Sequence, residues 1–152
     1  MSYHNGSIWP HDNALIAAGF ARYGLQSAAN EVFTGLFEAS FYFDQQRLPE
    51  LFCGFGRNTG RGPTMYPVAC APQAWSSATP LYLTQAVLGL SIKAPRDIKF
   101  AMPQLPDFLF SLSLDGLVCG EGSVDLDVEK TGLANRVFVR RNKDKVRVSV
   151  KL

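Results

Sequence analysis

Residues 10–43, PHDNALIAAGFARYGLQSAANEVFTGLFEASFYF, carry two helical patterns separated by one glycine, and this stretch governs how the rest of the chain is read. The first pattern starts at Pro10, with Ser7 as a candidate cap and Asp12 near the positive end of the helix dipole. Leu15, Ala18, Gly19 and Arg22 fall on one side and Ile16, Phe20 and Tyr23 on another, so both flanks are predicted to be covered. Gly24 ends it. The second pattern runs from about Leu25 to Phe43, with Leu25, Ala29, Val32, Phe33, Leu36, Phe37, Ser40 and Phe41 recurring at steps of three and four. Two helices on a one-residue glycine hinge read as an αα-hairpin, the unit of α-toroids and of many helical bundles.

Downstream, periodicity fades from Asp44 to Pro72, where Gly54, Gly56, Gly60 and Gly62 lie close together; a long loop of this kind is usually a lid or a binding loop. A third helix is predicted from about Pro72 to Leu90, with a kink or restart near Thr79 imposed by Pro80. Beyond Pro95 the period drops to two: Ile98, Phe100 and Met102 alternate, as do Phe108, Phe110, Leu112 and Leu114, then Val124, Leu126 and Val128, and finally Val137 with Val139 and Val146 with Val148 and Val150. The expected class is α+β, with helical hairpins over residues 1–94 carrying a loop at 44–72, and a small antiparallel sheet over 95–152. The boundary is placed near Ala94.

At 152 residues and 47% hydrophobic, the chain can bury a core. It has no apolar run long enough to span a bilayer, and Trp, His and Asp occupy the first dozen positions where a signal peptide would need a basic and then apolar start. A cytoplasmic protein without membrane partners is expected. Cys53, Cys70 and Cys119 are odd in number and lack CxxC or His-rich spacing, which argues against a disulfide framework and a zinc site. Residues 130–152 hold eight of the 15 Lys and Arg and one acid. With a hairpin tip at Gly132-Leu133, Glu129 falls opposite Arg136 and Asp125 opposite Arg140, so cross-strand pairing accounts for the basic tail and nucleic acid is not the expected partner.

Residues suited to a polyhydroxylated ligand cluster early in the chain. Trp9 and Trp75 offer flat apolar faces of the sort that stack on sugar rings, the alternative being core packing. Tyr3, His4, Asn5, His11, Asn13, Arg57 and Gln73 can donate to or accept from hydroxyls. Asp12, at a helix N-terminus, is favoured ionised, which suits a hydroxyl ligand or a structural cap and not a general acid. His4 and His11 lack a third ligand at usable spacing, so no metal is expected. The Gly54-Phe55-Gly56 and Gly60-Arg61-Gly62 triplets are not expected to follow a strand and precede no Lys-Ser or Lys-Thr, which argues against a phosphate cradle and for a loop that closes over sugar. Glu50 follows Pro49 at the mouth of the glycine-rich loop, between Leu48 and the Leu51, Phe52 and Phe55 side chains. Those apolar neighbours are predicted to raise its pKa, as befits a proton acceptor working near neutrality; the alternative is a surface ion pair with Arg47 or Arg57.

Three segments together carry a resemblance: Tyr3-His4-Asn5-Gly6-Ser7-Ile8-Trp9-Pro10-His11-Asp12-Asn13, Arg47-Leu48-Pro49-Glu50-Leu51-Phe52-Cys53-Gly54-Phe55, and Tyr66-Pro67-Val68-Ala69-Cys70-Ala71-Pro72-Gln73-Ala74-Trp75. Over about residues 3–129 the chain resembles the C-terminal part of amylo-α-1,6-glucosidase (glycogen debranching) type glycoside hydrolases. That resemblance implies part of an (α/α)6 toroid, an α-glucan or oligosaccharide substrate, no cofactor, and Glu50 as the general base. It also implies that the general acid lies on an earlier loop that the chain lacks, so that the isolated chain hydrolyses nothing at a meaningful rate. A partial toroid leaves helix faces uncovered, so self-association, or association with the rest of such an enzyme, is expected. A non-catalytic carbohydrate-binding or self-associating module is the alternative.

Overall fold

Gly24 separates α1 (Pro10–Arg22) from α2 (Gln26–Ser40) in the computed structural model of the chain, which describes residues 1–58, 60–132 and 134–152. On α1 the buried stripe is made of Ala14, Ala17 and Ala21, small enough for α1 to lie close against both α2 and α3 (Ala74–Val87). Leu15 and Ile16 fall outside that stripe at 58% and 51% exposure, so the expectation that both flanks of α1 are covered is corrected. Ser7 is no cap either: its hydroxyl donates to the Ser2 carbonyl, and Trp9 holds the N-cap position.

On α2, Ala29, Phe33, Leu36 and Ala39 face the core, and the helix ends at Ser40, leaving Phe41 and Tyr42 exposed beyond it. The third helix runs without interruption through Pro80. Thr79 and Leu83 are buried on its inner side while Pro80 is exposed, so the ring stands toward solvent and no restart near Thr79 is required.

Helix gives way to sheet at Gly89, whose φ of +55° and whose missing Cβ, which would lie 2.0 Å from the Ala101 carbonyl oxygen, leave room for no other residue. The hairpin of β3 (Leu90–Lys93) and β4 (Asp97–Ala101) therefore straddles the expected boundary at Ala94. Strand β4 also pairs, in parallel, with β8 (Arg147–Lys151), so the expected antiparallel sheet is in part parallel. A separate antiparallel sheet contains β5 (Ser111–Cys119), β6 (Gly122–Thr131) and β7 (Ala134–Lys143). The smallest sheet joins β1 (Ser7–Ile8) to β2 (Phe52–Cys53).

Cross-strand charge pairing differs from expectation by one residue. Glu129 stands opposite Arg136, but the register shifts between Asp125 and Leu126, so Asp125 faces Arg141 and not Arg140. Arg141 holds Asp125 through two bonds of 2.5 and 3.1 Å, while Arg140 reaches across to Asp127 at 2.8 Å and to Asp115. At the expected tip, Leu133 lies outside the described residues; Thr131 pairs with Ala134 across it.

The described residues hold three α-helices and eight strands in three sheets, with no ring of helical hairpins. The expectation of a partial (α/α)6 toroid is thus overturned. In a toroid each hairpin is buried by the next, whereas here the inner faces of the sheets close the core. Ile98, Phe100, Val124, Leu126 and Val128, each at most 1% exposed, join the same cluster as Phe33, Leu36 and Leu83. Phe108 stacks on Phe37 of α2 with centroids 4.2 Å apart, and Gln26 of α2 donates to the Met102 carbonyl.

Candidate functional site

Pairing of β1 with β2 sets Ser7 against Cys53 and Ile8 against Phe52, which brings the N-terminal segment alongside Glu50 just ahead of β2. Approach of the two strands is close enough that a Cβ on Gly54 would meet the Gly6 carbonyl oxygen at 2.5 Å, while the Gly54 amide donates to that same oxygen. On the other side, the Glu50 amide donates to the Cys70 carbonyl at 2.8 Å. Three segments far apart in sequence thus converge on one carboxylate.

Glu50 is 8% exposed. The Tyr3 phenol donates to its Oε1 at 2.6 Å, and the Cys70 amide donates to Oε2 at 3.2 Å. Those two donors, the Tyr3 phenol first, hold the carboxyl below its ordinary range; burial opposes them, and positive charge on His11 adds to them. The expectation that apolar neighbours raise the Glu50 pKa is corrected, because donors that favour the ionised form outweigh desolvation. The same bond pushes Tyr3 up to about 12. Among the described residues no arginine pairs with Glu50: Arg57 pairs instead with Glu38.

Around this carboxylate the rings are contiguous. Tyr3 meets Trp9 edge-on at 5.0 Å and Tyr66 at 5.7 Å; His4 lies parallel to Trp9 at 5.9 Å; Trp9 meets His11 edge-on at 5.8 Å. His11 in turn stacks on Trp75 at 4.2 Å, which ties the first turn of α1 to the first turn of α3. Trp75 remains 51% exposed, so one of its surfaces is free for a ligand. Buried His11 Nδ1 has no hydrogen-bond partner, and Nε2 lies 3.4 Å from the exposed Asp12 carboxylate.

Of the residues singled out from sequence, Tyr3, His4, Trp9, His11, Trp75 and Glu50 are brought together. Asp12 borders them through His11. Gln73 precedes α3 at its N-cap, half-buried and without a side-chain capping bond. Asn5 is exposed, and it is its backbone that is engaged: the amide donates to the Ser2 hydroxyl and the carbonyl accepts from the Ser2 amide. Asn13 turns its amide onto the Trp9 carbonyl at 2.9 Å. Asn13 and Arg57 instead line a cleft of about 900 Å³ between α2 and residues 53–64, whose wall does not include Glu50. Tyr66 and the Cys70 amide escape the residue-by-residue reading, although both lie within the third segment that carries the resemblance.

Among the described residues no group of three or more His, Cys, Asp or Glu side chains is placed to hold a metal ion. No helix among them is long and apolar enough to cross a membrane. Comparison with protein-family models and with curated proteins returns no match for this chain.

Proposed function

We propose that the Glu50 cluster is the general-base side of a glycoside hydrolase site that acts on α-glucans, of the glycogen-debranching kind that the three segments resemble. The observation that carries this reading is a buried carboxylate that accepts from a phenol and a backbone amide beside a run of aromatic rings. An ionised carboxylate can take a proton from water, and rings with exposed faces can stack on pyranoses. Glycoside hydrolysis also needs a protonated carboxyl on the other side of the bond. None is placed within this cluster among the described residues, so in this reading the acid comes from another segment or a partner. Leu15, Ile16 and Leu81, 58%, 51% and 75% exposed on α1 and α3, supply apolar surface for such association.

The half-exposed Trp75 stacked on His11 fits one other reading, a carbohydrate-binding module without turnover. Both are tested by titrating maltooligosaccharide against tryptophan fluorescence and by assaying hydrolysis. Saturable binding that Trp9→Ala abolishes supports the site. Turnover on adding a partner, lost in Glu50→Gln, supports the hydrolase, and binding without turnover under any condition supports the module. Absence of saccharide binding overturns both.

A further inference from the structure

The cleft between α2 and residues 53–64 is a second site with a chemistry of its own. Its loop is closed at the base: the Cys53 amide donates to the Thr64 carbonyl at 2.9 Å and Phe52 bridges to Met65, so the two ends lie side by side as in Ω-loops, a class often used for binding. The loop is seated on α2's end, where the missing Cβ of Gly62 would lie 2.5–2.9 Å from Tyr42 atoms and where Arg57 pairs with Glu38. At about 900 Å³ the space falls within the range of small-molecule pockets, roughly 300–1,000 Å³.

Two features of the lining define the occupant. Buried Leu36 and Phe52 form an apolar floor, while Phe41, Tyr42 and Phe55 stand on the wall at 55%, 56% and 61% exposure, an unusual amount of aromatic surface to leave facing water. The acid in the lining, Glu38, is engaged by Arg57, whereas Arg61 has no carboxylate within ion-pair distance among the described residues. Aromatic walls favour a flat ring system, and an uncompensated guanidinium beside them favours an anionic group.

We infer that this cleft binds a planar aromatic acid, its rings against Phe41, Tyr42 and Phe55 and its anionic group on Arg61. The site stands apart from the Glu50 cluster and does not depend on the saccharide reading.

The probe is anilinonaphthalene sulfonate, read by fluorescence on the full chain, with N-phenylnaphthylamine as the same rings without the charge. The sulfonate is expected to bind about tenfold more tightly than the neutral dye, as a charge-assisted contact provides. Arg61→Gln abolishes that preference while leaving the neutral dye's affinity unchanged. Phe55→Ser, a change at an exposed position, weakens both dyes several-fold. Leu81→Ser, on the exposed face of α3, changes neither, and maltooligosaccharide displaces neither. Persistence of the sulfonate preference in Arg61→Gln, loss of binding in Leu81→Ser but not in Phe55→Ser, or displacement by the sugar overturns the inference.

Discussion

Tyr3 donates its phenolic proton to Glu50 at 2.6 Å across 47 positions of sequence, and this bond joins the β1–β2 pairing in tying the first residues of the chain to the loop after α2. It also sets the protonation state of both groups, in opposite directions from their ordinary values. A neutral phenol and an ionised carboxylate are favoured together.

At acid pH the consequence has a definite sign. Because the folded protein lowers the Glu50 pKa, the stabilisation is present above the ordinary carboxylate range and is lost as pH falls through the folded value. Tyr3→Phe removes the largest cause of that lowering, so the Glu50 carboxyl is expected to titrate at higher pH than in the wild type. Carboxyl-selective NMR of wild type, Tyr3→Phe and Glu50→Gln checks this; an unmoved titration refutes the coupling.

At alkaline pH the same pair acts the other way. Tyr3 contributes stability that is complete below its ordinary pKa of 10 and fades as pH rises toward about 12. Phenolate absorbance is expected to show one tyrosine ionising near pH 12, and Glu50→Gln to bring that step down.

Between β6 and β7, Asp125 is held at about 2 from an ordinary 3.8, first by the Arg141 bonds and then by the Gly116 amide. Its contribution is present above 3.8 and lost as pH falls through about 2. Melting curves of Asp125→Asn should depend less on pH across that window than those of the wild type.

Gly89→Ala places a methyl group against the Ala101 carbonyl at a positive φ. A loss of about 2 kcal/mol or more is expected, a drop in melting temperature of roughly 4–8 °C for a chain of this size. Gly116→Ala, whose Cβ meets nothing within 4 Å, is the control that isolates the steric part.

Leu126→Ala in β6 and Leu83→Ala in α3 each remove a side chain that is at most 1% exposed, at about 2–5 kcal/mol each. Since both belong to one core cluster, each should shift a single cooperative transition by circular dichroism. Two transitions, each moved by one variant, would instead support the boundary expected near Ala94.

Helices α1 to α3 are legible in sequence because apolar spacing and the Gly24 break are local signals. The strands are legible in the same way, through the alternation of Val124, Leu126 and Val128 and of Ile98 with Phe100. Partners of those elements are not local. Nothing in residues 97–101 announces a parallel neighbour 50 positions later, and nothing at Asp125 announces the register shift that redirects it to Arg141. Toroid and sheet-backed helices share the same hairpin signal, so the hairpin alone could not choose between them. At the site, Tyr3, Trp9, His11, Trp75 and Glu50 are legible as residue types. The direction of the Glu50 shift is not, since flanking Leu51 and Phe52 suggest desolvation while the deciding donors come from residues 3 and 70.

Strand β8 is laid down next to β4 only after Arg147–Lys151 have been made, long after α1 to α3 and both flanking hairpins. During synthesis, Ile98 and Phe100 therefore wait with one edge of their sheet open until Arg147–Lys151, 50 positions further along, complete it. Cleavage that releases β8 would reopen that edge and expose a strand template to other chains, which makes the late-arriving parallel strand a safeguard against aggregation.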